Sequence, residues 1–452
     1  AFALAERARA RALLDVLHGV GDARVAEEHR AEHRRLVEDL ASLRYRMEQR
    51  RRRGAEPVAA DVEAWRELTL AIDRLQHAGR DGGRIGAAST LTLDAFQRLL
   101  DPGTRALVYF LGERRSYLWR VDRDTASVHL LPPRAELESQ SAAVSGDTAV
   151  FDPRGSLAAA ERAERLAEVL LAPALDDGGD GGARRLVLIA DGALLRLPFA
   201  ALPTAGGGGP LLIERYELAH LPSASALPAL RQRASSTGSS LALFADPIYA
   251  GTELARLDGS RREAEGLRRL DGIAVDARLG AAARRRAVGG DQLRGYRYLH
   301  FATHATFDGE RPELSSLVLS LADADGQPLD GHLRLAEISA MSLDAELVVL
   351  SGCDTGLGRD LRGEGLLGLA RAFFYAGAGR VASSLWRVED EATAELMTRF
   401  YQHLLTDGVP PSAALRRAQL DLRQRRRYRH PFFWAAFFIQ GDWLPTAPIG
   451  TR

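Results

Sequence analysis

At 452 residues the chain has room for two or three domains and an ample core. Lys+Arg and Asp+Glu both number 60, so the formal net charge is zero and nothing draws the whole chain toward nucleic acid or an anionic membrane. Lysine and asparagine are absent, which excludes a P-loop, a Schiff-base lysine, a Ser-Lys dyad and a Cys-His-Asn triad.

In chain order, residues 1–88 read as a helical segment. Leu36, Leu40, Leu43 and Met47 form one apolar seam, and Trp65, Leu68, Ile72 and Leu75 a second. Arg50 to Arg53, Gly54 and Pro57 separate them, which predicts a helical hairpin with a solvated arginine end. The chain starts at Ala1 and reads as a fragment whose first helix closes a repeat array. Arg80 to Ser89 is a polar, Gly-rich linker.

Residues 89–236 read as a first α/β half. Ala106 to Phe110 and Ser116 to Val121 flank a short turn as a hairpin, Ser156 to Leu171 is an amphipathic helix, and Arg185 to Ala190 is a buried strand. Residues 237–452 alternate strand and helix. Strands are expected at Leu241 to Ala245, Tyr298 to His304, Ser316 to Ser320, Leu347 to Leu350, Arg380 to Leu385 and Phe432 to Ile439. Helices are expected at Ser260 to Leu270, Glu364 to Ala376, Asp390 to Leu405 and Pro411 to Arg425. This alternation predicts an α/β fold with a mostly parallel sheet flanked by helices.

Two strand ends carry the chemistry. Leu347 to Leu350 runs into Ser351-Gly352-Cys353, and Cys353 is the only cysteine. A second strand ends at His304, 49 residues before Cys353. If the strands are parallel neighbours, imidazole and thiol emerge on the same sheet edge, where open α/β sheets hold their ligands. A lone cysteine with a histidine about 50 residues upstream is the arrangement of caspase-like proteases. The imidazole takes the thiol proton and stabilises the thiolate. One cysteine forms no internal disulfide, so a reducing, cytoplasmic setting is expected. No apolar run reaches the roughly 18 residues of a membrane span. No secretory signal is read either. Neither a metal nor a cofactor is expected: His300 and His304 lack convincing partners for zinc, and Gly363-Glu364-Gly365-Leu366-Leu367-Gly368 starts too far past its strand to cradle a dinucleotide. The basic stretch from Arg423 to His430 reads as a solvated helix end.

From about Arg185 onward the chain resembles CHAT domains, caspase-like peptidase domains related to caspases, separases and gingipains and often found behind tetratricopeptide repeats. The resemblance rests on ordered motifs: Leu197-Pro198-Phe199, Leu221-Pro222-Ser223, His300-Phe301-Ala302-Thr303-His304, Ser351-Gly352-Cys353-Asp354-Thr355-Gly356, Gly363-Glu364-Gly365, Ser383-Ser384-Leu385-Trp386 and His430-Pro431-Phe432-Phe433-Trp434. It implies a cysteine endopeptidase with catalytic His304 and Cys353, and the backbone N–H groups of Ala305 and Cys353 as oxyanion donors. Ala305 stands where the family has glycine, and Gly352 where alanine is common. By the same resemblance Trp386 and Asp390 line the substrate pocket, and Asp390 favours a basic residue before the cut. The opposing reading makes Asp390 a helix cap. The implied partners are a dedicated protein substrate, in a defence or death pathway, and a regulatory protein or upstream repeats. The first α/β half is then an inactive partner of the second. The alternative function is a catalytically silent scaffold.

Overall fold

The computed structural model describes residues 2–6, scattered positions between 32 and 71, and 90–445 apart from 153–156, 176–181, 205–208, 234–237, 239, 290–291, 307–314 and 353–363. Most of the expected helical hairpin and the whole 80–89 linker lie outside the described residues, and so does Cys353.

The first half holds strands β1 (Thr104–Phe110), β2 (Ser116–Val121) and β3 (Ala126–Leu131), helices α1 (Arg134–Thr148) and α2 (Leu157–Leu170), then β4 (Arg185–Ile189) and β5 (Glu217–His220). The second half continues with β6 (Ser240–Ala245), α3 (Asp258–Leu267), β7 (Ala274–Leu279), β8 (Tyr298–Ala302), β9 (His304–Thr306), β10 (Ser316–Val318), β11 (His332–Arg334) and β12 (Leu347–Leu350). Helix α4 (Glu364–Ala376), β13 (Arg380–Ser384), α5 (Asp390–Leu405), α6 (Pro411–Gln424) and β14 (Phe437–Gly441) complete it.

Eleven of these strands form one sheet in the order β3-β2-β1-β4-β5-β14-β13-β12-β8-β6-β7. The pairs β1/β2, β2/β3 and β13/β14 are antiparallel and every other neighbour pair is parallel. The expected mostly parallel sheet with flanking helices is therefore the fold. Strand β12 shows why. Its four apolar residues alternate between the two faces: Val348 and Leu350 join the core that includes Phe301 and Phe373 of α4, while Leu347 and Val349 join the one that includes Leu396 and Phe400 of α5. A continuous apolar run suits a strand covered on both sides.

Two expectations are corrected. The aromatic stretch after α6 is not one strand. Pro431–Phe433 forms a 3₁₀ turn, with the His430 ring accepting from the Phe432 N–H, and the strand begins only at Phe437. Proline without an N–H suits the first position of such a turn. Strand β14 then runs antiparallel to β13 and parallel to β5, with Gln440 beside His220, so it joins the two halves into one sheet.

The second correction concerns the histidines. Strand β8 stops at Ala302, the chain bends at Thr303, and His304 opens β9 in a separate three-stranded sheet, β11-β10-β9. His300 and His304 therefore do not share one strand face.

At the other end of the molecule, residues 2–6 are helical. Phe2 stacks on Phe96 and meets Trp119 edge-on, each with ring centres 6.1 Å away. The buried Glu6 carboxylate accepts from both the N–H and the hydroxyl of Ser225 at 2.9 Å.

Candidate active site

The described part of the site is built around His304, which is 5% exposed. Its Nε2 lies 2.8 Å from the Ala255 carbonyl oxygen, an acceptor only, so Nε2 carries the proton and donates. That tautomer leaves Nδ1 with the lone pair that can take a proton. The backbone N–H of His304 donates to the Tyr249 hydroxyl at 3.2 Å, and that hydroxyl donates to the Val318 carbonyl at 2.8 Å. The Tyr249 ring lies 5.0 Å from the imidazole, centre to centre. Burial pushes the Tyr249 phenol far above its ordinary range, so the hydroxyl stays protonated as this bond requires.

Ala255 and Tyr249 belong to the segment between β6 and α3, which is tied down at its root. Asp246 ends that strand's run with φ of 49°, alone among the described non-glycine residues in the left-handed region. Its buried carboxylate meets Arg256 at 2.9 and 3.0 Å and Arg261 at 2.8 Å. Burial raises the Asp246 carboxyl, but the two guanidinium groups outweigh it and hold the group below its ordinary value. The Asp246 N–H donates to Ser260 Oγ at 2.8 Å, and the Ile248 N–H to Ser320 Oγ at 3.0 Å. The carbonyl that orients His304 thus sits on a clamped segment.

The end of β12 comes close to the same place. Register pairs Leu350 with Phe301, and the Ser351 N–H donates to the Phe301 carbonyl at 3.1 Å. Gly352 then packs on Thr303: a Cβ on Gly352 would sit 1.5 Å from the Thr303 carbonyl oxygen. Alanine at this position, which the family resemblance makes an ordinary choice, does not fit here without a backbone shift.

The remaining expected residues are placed as follows. Ala305 lies in β9 opposite Leu317, 8% exposed. Trp386 is 3% exposed and its indole N–H donates to the Phe432 carbonyl at 3.0 Å, so it supports the wall beneath α5 from within the core. Asp390 is the first residue of α5, whose N-cap is Glu389. The Asp390 carboxylate instead accepts the Gly259 N–H of α3 at 3.2 Å, in the first turn of another helix. The cap that the sequence predicted for its own helix is made to a neighbour. The basic stretch at the end of α6 and just beyond it is paired: Arg423 with Glu214, Arg425 with Glu395, and Arg427 with Glu389 and Glu391.

Sequence reasoning missed Tyr249, Ala255 and Asp246. Only the Asp-Pro dipeptide after an apolar strand marked that segment as a turn. Among the described residues no group of three or more His, Cys, Asp or Glu side chains is placed to hold a metal ion, and no helix is long and apolar enough to cross a membrane.

Parts of the chain are shared with known proteins. Human tetratricopeptide repeat protein 28 is 28% identical over an alignment 313 residues long that covers 59% of this chain and 12% of that protein. Its mouse counterpart is 27% identical over the same length and the same shares. This chain therefore spans a small part of the curated relatives it matches. Among solved structures, the Saccharomyces cerevisiae separase–securin complex aligns with a TM-score of 0.47 and 11% identity, over 84% of this chain and 32% of that one. The Arg-specific cysteine proteinase gingipain R aligns with a TM-score of 0.42 and 9% identity, over 70% and 78%. Residues 160–442 match the model of the CHAT domain. The match takes in more than half of the sequence, and the chain belongs to the CHAT domain family.

Proposed function

We propose that the chain is a cysteine endopeptidase in which His304 and Cys353 act as a dyad on a dedicated protein substrate. The observation that carries this reading is the contact of Gly352 with Thr303. Each is followed in the chain by one member of the pair, and the imidazole is already held in the useful tautomer by Ala255. Cys353 passes its thiol proton to Nδ1 of His304, and its sulfur bonds to the substrate carbonyl carbon. The imidazolium returns that proton to the leaving amine as the C–N bond breaks, giving a thioester. His304 then takes a proton from water, the hydroxide cleaves the thioester, and the thiol is restored. Backbone N–H groups of Ala305 and Cys353 are the proposed oxyanion donors.

Asp390, partly exposed at the head of α5, is the proposed acid for a basic residue before the cut, with Trp386 behind it. A reducing, cytoplasmic setting suits the lone thiol. The similarity to a tetratricopeptide repeat protein supports regulation by repeats or by a bound protein, in a defence or death pathway. The second reading is a silent scaffold, favoured by the burial of His304 under Tyr249.

The test is cleavage of a diverse peptide library read by mass spectrometry. The wild type should cut, Cys353→Ala should not, and His304→Ala should lose roughly 100-fold or more. Cuts that survive Cys353→Ala would sink the dyad. An uncut library with a thiol no more reactive than free cysteine would favour the scaffold.

A further inference from the structure

A second histidine is built into the fold four residues before His304, and the mechanism above does not use it. His300 lies on β8 and is fully buried. Its Nδ1 is 3.1 Å from the Tyr401 hydroxyl of α5, and its Nε2 is 2.8 Å from Ser351 Oγ. Ser351 Oγ in turn donates to Glu263 Oε2 of α3 at 3.2 Å. The other Glu263 oxygen lies 2.8 Å from His300 Nε2, within ion-pair range. Glu263 is 2% exposed and Ser351 4%. Four polar side chains from two helices, a strand and a strand end thus meet in an interior that otherwise buries Leu347, Val349 and Leu396.

The direction of the chain of bonds follows from the donors available. Burial, aided by the charge of Glu263, pushes the Tyr401 phenol well above its ordinary range, so its proton stays on oxygen and is donated to His300 Nδ1. His300 then keeps its proton on Nε2 and donates to Ser351 Oγ. Ser351 spends its own proton on Glu263. Every link points toward the carboxylate, whose second oxygen has the His300 ring nearby but no hydrogen bond of its own.

Ser351 is the link with a consequence. It stands between the last residue of β12 and Gly352, and two residues before Cys353. Its backbone is tied to Phe301 on one side, and its hydroxyl to two elements on the other. A bare strand end beside a glycine would be free to fray. We propose that Glu263, His300 and Tyr401 are positioning residues for the candidate nucleophile: acting through Ser351 Oγ, they hold the end of β12 where Cys353 can meet His304. This rests on the peptidase reading above.

Cys353 is the only cysteine in the chain, so its alkylation can be followed on the intact protein without ambiguity. The experiment is the rate of modification by iodoacetamide against pH, with a melting curve for each variant. The wild type should show a midpoint below the value of about 8.5 for a free thiol. His304→Ala should return it to that value. Ser351→Ala and His300→Gln, with His304 intact, should raise the midpoint by about one unit, which lowers the thiolate fraction nearly tenfold at any pH well below the midpoint. If His300→Gln does not fold, Ser351→Ala, which removes one oxygen, carries the test alone. A lowered melting temperature with an unmoved profile would make the network structural only and overturn the positioning role while leaving the dyad in place. An ordinary wild-type midpoint that His304→Ala does not change would overturn the dyad, and the positioning role with it.

Discussion

Gly352 shows how one missing methyl group shapes a site. With a Cβ 1.5 Å from the Thr303 oxygen, alanine at this position must push apart the two segments that lead into His304 and Cys353. Gly352→Ala should therefore destabilise the fold by roughly 1–3 kcal/mol. It should also slow alkylation of Cys353 by more than that loss of stability explains. A melting curve and an alkylation rate on the same sample decide this, and wild-type reactivity in the Gly352→Ala protein would refute it. The sequence could not show this requirement, because Gly352 and Thr303 are 49 positions apart. His304 and Cys353 could be picked as candidates from the sequence, since one closes an apolar run and the other stands three residues past a second, 49 positions on; Cys353 itself lies outside the described residues. The carbonyl that orients His304 could not be picked in this way: it belongs to Ala255, whose side chain carries no chemical signal.

Elements with a full period of pattern were readable, and those without were not. Helices α4 and α5 were expected at the bounds they have, because a dozen or more residues repeat the helical period. Strand β5, of four residues, and β9, of three, are too short for alternation to register. Yet β5 and β14 make the seam of the whole sheet, and that seam carries a pH signature. His220 of β5 has its ring 5.0 Å from Phe438 and 6.3 Å from Phe199. Burial lowers its pKa to about 4. In the unfolded chain the ring titrates near 6.5, so between those values the unfolded state binds the proton and the folded state does not. Stability from this group is complete above pH 6.5 and is drawn down as pH falls toward 4. The wild-type melting temperature should drop across that window, and His220→Phe should flatten the slope. An unchanged slope would mean that the seam does not resist charging.

Over the whole molecule, balanced charge and a double-sided sheet leave few long-range forces, so distant parts communicate through contacts. Glu6 touches Ser225 across 219 positions of chain. Glu6→Ala would strand the Ser225 donors and release the helical residues 2–6 from Phe96 and Trp119. Hydrogen exchange should quicken in residues 2–6 and 223–226 while β12 and β13 stay protected. Uniform quickening would instead mean that this contact supports the global fold.

The bend at Thr303 divides the candidate pair between two bodies. The imidazole rides on a small plate of three strands, and the thiol follows the end of a large one in the chain. The two plates are also laced together beside that bend, where Tyr249 reaches Val318 and Ser320 holds both Ile248 and Gly280. Val318 of β10 stands opposite His304, so whatever binds the outer face of the small plate presses on the imidazole through one strand and one tyrosine hydroxyl.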